Sequence, residues 1–282
     1  MSPDRAGVSG GADGERQELA AGKLILDHPA PAVARLTITN PERRNALDHD
    51  ILNALAETLP HLDRGIDIRC VVITGDGELF SAGYDIAGIP DERFSIDAEA
   101  LVAHPFHEAM EAISGHRYPV LAAINGHCLG GGLELAVRCD LRLCAVSAKL
   151  GMPPAKLGLI YSHTGLQKFI DVVGYARTKE LFLTGRNLSG PRAMAIGLVN
   201  DTVPDDKLPE EAVALASEIA AGAPLSARGN KRAIETLNSY PRLSEEQERE
   251  LIELRRSCFE SADLREGIRA FAEKRKPEWR GR

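Results

Sequence analysis

The chain has 282 residues, of which 44% are hydrophobic and 27% charged, an ordinary globular balance suited to one large domain or one domain with an appendage. Its formal charge of −7 leaves no electrostatic footprint for nucleic acid or an anionic membrane surface. No apolar stretch approaches the roughly 20 residues that span a bilayer, and the N-terminus lacks the apolar core of a secretory signal, so a cytoplasmic location is expected.

Residues 1–22, rich in Gly, Ala, Ser and charge, read as a disordered tail. Leu24–Asp27 and Ala32–Thr39 read as strands joined through the turn signal His28-Pro-Ala-Pro31. Ile51, Leu55, Leu59 and Leu62 recur at helical spacing behind Asp48, a plausible N-cap. Cys70–Thr74, Val120–Ile124 and Leu141–Val146 are short apolar runs typical of buried strands, with helical pattern at about 98–115 and 131–138 between them. This alternation predicts an α/β fold with a mostly parallel sheet. From about residue 163 helical segments dominate, and Pro204 and Pro224 sit near helix starts. The five cysteines, at 70, 128, 139, 144 and 258, form no CxxC pair and read as reduced, buried small hydrophobes. The histidines form no HxxxH or HExxH cluster, so no metal site is expected.

Two segments carry chemistry. Phe80-Ser-Ala-Gly-Tyr-Asp85 and Asn125-Gly-His-Cys-Leu-Gly-Gly-Gly-Leu-Glu134 each join the end of an apolar run to small residues, and the second runs into a helix. Two such strand ends side by side can aim two backbone N–H groups at one point, which is how a developing oxyanion is stabilised. The glycines let substrate approach the backbone, and a helix starting near Gly130 adds its positive dipole end. Glu134 lies four residues before Arg138, so its plainer use is an i,i+4 ion pair.

With Asn40-Pro-Glu-Arg-Arg-Asn-Ala-Leu47, the Leu181–Val199 stretch and Glu266-Gly-Ile-Arg-Ala-Phe-Ala-Glu-Lys-Arg-Lys-Pro277, these segments fall in the order seen in the enoyl-CoA hydratase/isomerase (crotonase) superfamily, which the chain resembles over roughly residues 23–280. The resemblance implies a ClpP/crotonase-like spiral of ββα units over 23–200 and a helical C-terminal trimerisation region over 201–282. It implies assembly as a homotrimer or dimer of trimers, and an acyl-CoA thioester substrate. Coenzyme A enters as part of that substrate, with no separate cofactor. The oxyanion donors would be the N–H groups of Tyr84 and Gly131, with Gly130 beside them. The backbone around Ala82, Asp85 and Ile86 would meet the adenine. Arg43 or Arg44 would lie near the phosphates, and Lys274 and Lys276 near the 3′-phosphate; their plainer reading is a solvated basic tail.

Hydratases of the family use a second glutamate about twenty residues after the first. That position falls on Pro154, which can neither transfer a proton nor donate a backbone hydrogen bond. Met152-Pro-Pro-Ala-Lys-Leu-Gly-Leu-Ile-Tyr-Ser162 resembles instead the matching segment of methylmalonyl-CoA decarboxylase, a family member with a tyrosine where Tyr161 falls and a histidine where Tyr84 falls. Decarboxylation needs a weakly solvated, oriented carboxylate rather than a strong base, and Tyr161 with the apolar Pro153–Pro154 wall would serve it. The sequence therefore favours a malonyl-type decarboxylase. The alternatives are an enoyl-CoA hydratase or isomerase with Glu134 as its single acid/base, and a non-catalytic CoA-thioester binder. Hydration would be aided if Glu108 or Glu111 reached the site. Tyr161 as a satisfied core tyrosine and His163 as a plain N-terminal helix residue are the bland readings.

Overall fold

A computed structural model describes residues 16–64, 67–85, 94–238, 244–275 and 277–278. It opens with β1 (Gln17–Leu19), paired antiparallel with β2 (Leu24–Ala30), which turns back at Ala32 into β3 (Val33–Ile38). This corrects the assignment of 17–22 to a disordered tail; a three-residue edge strand is too short to show alternation in sequence. Helix α1 (His49–Leu62) follows, its N-cap Asp48 accepting a 2.9 Å bond from the Ile51 N–H and its Ile51, Leu52, Leu55 and Leu59 facing the core.

Strands β4 (Cys70–Gly75) and β5 (Leu79–Ser81) lead to α2 (Phe94–Leu101) and α3 (His107–Gly115). The single helix expected over 98–115 is interrupted by a π turn at Val102–Phe106 holding Pro105, whose missing N–H breaks the ladder. Next come β6 (Val120–Ile124), β7 (His127–Leu129), α4 (Gly131–Arg138), β8 (Leu141–Ala145), β9 (Lys149–Gly151), α5 (Pro154–Leu157) and α6 (His163–Thr184). The chain ends through β10 (Leu188–Ser189), α7 (Gly190–Ala195), β11 (Asp201–Val203), α8 (Leu208–Ala221), α9 (Pro224–Asn238), α10 (Glu245–Phe259) and α11 (Ala262–Ala272).

Seven strands form one sheet in the order β1-β2-β3-β4-β6-β8-β11, parallel from β3 to β11; four form a second in the order β10-β9-β7-β5. Successive turns of the chain give one strand to each sheet, as in β4–β5, β6–β7 and β8–β9, and helices other than the central α4 pack around them. That is the spiral of ββα units. The boundary expected at 200/201 cuts through this arrangement, because β11 closes the large sheet on β8 and α8 buries Leu208, Ala212, Ala216 and Ala220 against it. Cys70, Cys128, Cys139 and Cys144 are buried and unpaired. No helix among the described residues is long and apolar enough to cross a membrane.

Helix α4 occupies the centre. Gly131 through Val137 are all buried. Its C-terminal end is held by Arg142 of β8, itself buried, whose guanidinium donates to the carbonyls of Cys139 at 2.8 Å and Leu198 at 2.9 Å. A fixed cation there suits the negative end of the helix dipole.

Candidate active site

The two glycine-containing segments meet backbone to backbone. A Cβ built on Gly83 would fall 2.9 Å from the Leu129 carbonyl oxygen and 3.1 Å from the Gly131 nitrogen, so the close approach requires glycine there, and Gly83 also has φ +100°. The first segment is anchored from its other side: the Leu47 N–H donates to the Gly83 carbonyl at 2.8 Å, and the Asp85 N–H donates to the Leu47 carbonyl at 3.1 Å. These bonds flank Tyr84, so its own N–H points away from Leu47, as alternate groups of a strand do. In the second segment Gly130 turns the chain at φ +54° and its carbonyl receives the N–H groups of Leu133 and Glu134. Gly131 is the first helical residue, a position whose N–H has no acceptor within the helix.

Glu134, one turn further on, is only 1% exposed. Its Oε1 lies 3.4 Å from Arg138 Nη2, while among the described residues no donor meets its buried Oε2 in hydrogen-bond geometry. Burial raises its pKa; the Arg138 charge, the adjoining Tyr161 hydroxyl and His107 pull the other way without cancelling the rise. Tyr161 is buried too, and its hydroxyl lies 3.2 Å from that of Tyr84. The two rings stack at 6.4 Å between centroids, Phe106 packs edge-on against Tyr84, and Phe182 tilts against Tyr161. Burial and the neighbouring Glu134 push the Tyr161 pKa up, so the phenol stays neutral and able to donate.

Beside Glu134 opens a cavity of about 200 Å3, lined by the apolar Phe106, Met110 and Ile252 and the polar Arg138, Ser162 and Thr164. His163 lies at its rim, 3.3 Å from Glu248 of α10. Pro154 is buried at the first position of α5. Glu111 does not serve as a second acid; it is spent on Arg138 at 3.3 Å, and Glu108 is exposed. Asp140 is likewise engaged, by Lys231 and the Val120 N–H at 2.7 Å each.

The residues expected to hold coenzyme A are less gathered. The Gly130 N–H donates to the Gly151 carbonyl at 3.0 Å, and those of Ala82 and Asp85 to the Arg44 and Leu47 carbonyls, so any adenine contact there falls to carbonyl oxygens. Exposed Arg43 stands 4.0 Å from Asp85, and exposed Arg44 sits beside it in a left-handed turn. Lys274, exposed past the end of α11, makes no ion pair among the described residues. Ile86 and Lys276 lie outside the described residues. His107, Ser162, Thr164 and Ile252 carry no sequence signal as cavity walls, since each looks like an ordinary helix or cap residue.

The two glycine-containing segments thus meet beside one buried carboxyl in an α/β spiral. A model of the family enoyl-CoA hydratase/isomerase matches residues 29–282, and the chain belongs to that family, within the crotonase superfamily. It is 39% identical over 252 residues to a probable enoyl-CoA hydratase of Bacillus subtilis strain 168, covering 88% of this chain and 95% of that one. It resembles the solved structure of methylmalonyl-CoA decarboxylase in complex with 2-nitronate-propionyl-CoA with a TM-score of 0.84 at 26% identity, covering 92% of this chain and 99% of that one. An enoyl-CoA hydratase/carnithine racemase structure from Magnetospirillum magneticum matches with a TM-score of 0.74 at 34% identity, over 92% of this chain and 96% of that one.

Proposed function

We propose that this chain acts on enoyl-CoA thioesters, by hydration or double-bond isomerisation, with Glu134 as its single acid/base and the N–H groups of Tyr84 and Gly131 holding the thioester enolate oxygen. The observation that carries this reading is the buried Glu134 carboxyl, one turn into the helix that Gly131 begins. In hydration, Glu134 takes a proton from water as its oxygen adds to C3 and returns that proton to C2. In isomerisation it lifts a proton from C2 of a 3-enoyl thioester and delivers it to C4. One carboxyl suffices for either, and burial that raises its pKa brings it toward the working pH, where it both accepts and donates efficiently. The family and the name of the Bacillus subtilis relative favour this over the decarboxylation suggested by the sequence.

Malonyl-type decarboxylation is the second reading, favoured by the converging hydroxyls of Tyr84 and Tyr161 and by buried Pro154. There the phenols would orient the leaving carboxylate, and the same donors would receive the enolate. In both readings coenzyme A arrives with the substrate and no separate cofactor takes part. Arg43, Arg44 and Lys274 are its proposed phosphate contacts. A cytoplasmic location belongs to the same proposal, as does a trimer or dimer of trimers, the assembly being supported by Leu225, Ile234 and Leu237, exposed on α9.

The test is to offer crotonyl-CoA, a 3-enoyl-CoA and methylmalonyl-CoA to the protein, its Glu134→Gln variant and its Tyr161→Phe variant, and to follow product masses. Hydration or isomerisation lost in Glu134→Gln supports the leading reading. Loss of CO2 from methylmalonyl-CoA that survives Glu134→Gln and fails in Tyr161→Phe replaces it with the second. Turnover of none of the three would mark a binder.

A further inference from the structure

We propose that Arg138 is a positioning residue for Glu134: a guanidinium clamped between α3 and α4 that fixes the direction of the Glu134 carboxylate and compensates its charge. The inference rests on the reading of Glu134 as the acid/base and adds the residue that makes a buried carboxylate usable.

Glu134 is the one charged side chain within the fully buried run from Gly131 to Val137. A carboxylate in such surroundings needs a countercharge or it takes up a proton. Among the described residues, Arg138 is the group that forms an ion pair with it. An i,i+4 pair on an exposed helix face contributes little, but here the side chains are 2% and 9% exposed, so solvent screens the attraction weakly. The far side of the guanidinium is held by Glu111 of α3, at 3.3 Å from Nη1. Because the fork is planar and rigid, anchoring one nitrogen sets the angle at which the other meets Glu134. Among the described residues, no acceptor meets the buried Arg138 Nε.

The other groups around Glu134 act differently. His107 of α3 favours the anion more weakly than Arg138, and the Tyr161 hydroxyl adjoins the carboxylate as a neutral donor. Burial, and after it the Arg138 charge, disfavour the protonated form of Lys168 of α6. His163 of α6 faces Glu248 of α10. The strands packed on α4 bring Cys128, a buried thiol, and His127, which is exposed.

The experiment compares the protein with Arg138→Met, Arg138→Gln and Arg138→Lys. The ascending limb of kcat/KM against pH is followed for whichever CoA thioester is turned over. In parallel, carbon-13 NMR titrates the Glu134 carboxyl without substrate, its signal assigned by its absence in Glu134→Gln. Arg138→Met and Arg138→Gln should move both the limb and the carboxyl signal up by about one to three pH units, with activity recovered above the displaced limb. Arg138→Lys should restore much of the shift. An unmoved carboxyl signal, or an equal loss of rate at every pH without rescue by lysine, overturns the proposal. A displaced carboxyl signal in a protein that turns over no substrate leaves the role of Arg138 standing and sinks the acid/base reading instead.

Discussion

Gly165 lies directly against the Glu134 carboxylate: a Cβ added there would stand 2.9 Å from Oε2 and 3.0 Å from Oε1, with Tyr161 Cε1 at 2.7 Å. Helix α6 can therefore cross the site only with a glycine at this point, two residues past its start. The Gly165→Ala variant gains helix propensity of about 1 kcal/mol but overpacks the site by about 1–3 kcal/mol, a net loss of about 0–2 kcal/mol that should lower its melting temperature by no more than about 8 °C. The displaced carboxylate should lower kcat/KM by on the order of 100-fold. A melting scan beside a turnover assay checks both, and unchanged turnover would show that Glu134 is not where the reaction occurs.

Glu134→Gln should cost about 10²- to 10⁴-fold in kcat yet stabilise the fold above acid pH. Burial raises the Glu134 pKa above its ordinary 4.5. A carboxyl raised in this way favours the folded state fully below its unfolded pKa, and that contribution is lost as pH rises through the folded value. Wild type and variant should thus melt alike near pH 4, with the variant higher at pH 8 by roughly 2–4 °C for each kcal/mol of relieved penalty. A variant that melts lower at pH 8 would mean that the Arg138 pairing outweighs desolvation.

Neighbouring glycines of the second loop should respond unequally. A Cβ on Gly132 meets the Ser81 carbonyl oxygen at 2.8 Å and Ser81 Cβ at 2.6 Å, while one on Gly131 meets the edge of the Tyr84 ring at 2.7 Å. Backbone cannot yield as a ring can, so Gly132→Ala should lose about 1–3 kcal/mol and Gly131→Ala less. Urea unfolding of both variants tests the ordering. The reverse order would refute the close packing of the two loops.

Asn45 ties three segments together from a left-handed conformation at φ +54°. Its side chain accepts from the Asn40 N–H at 2.9 Å and donates to the Asp76 and Leu79 carbonyls at 2.9 and 2.7 Å. Asn45→Ala strands these groups and should cost about 3 kcal/mol, measured by urea unfolding. Asn45→Gly, which tolerates the backbone angle, should recover a small part only; full recovery would assign the effect to backbone strain alone.

Elements with a long or strong pattern were legible in the sequence. The four leucine and isoleucine positions behind Asp48 are α1, and the three apolar runs at 70, 120 and 141 are neighbouring strands β4, β6 and β8 of one sheet. The short strands β1, β9 and β10 were not, because two or three residues display no period. Glu134 and Tyr161 stood out because they flank recognisable motifs, and the structure brings both to one place. The cavity wall was hidden for a different reason: Glu248 reaches His163 from 85 residues away, and no local pattern encodes that meeting. The meaning of Arg138 was hidden as well, since the same i,i+4 spacing serves an exposed salt bridge and a buried one.

Arg142 gives helix α4 a property of its own. Its buried guanidinium grips the carbonyl end of α4 and the Leu198 carbonyl together, while Gly130 turns the other end into β7. A helix secured at both ends inside the core has no private melting transition. Warming this protein should therefore leave the geometry around Glu134 intact until the large sheet itself gives way, so inactivation and unfolding would occur at one temperature.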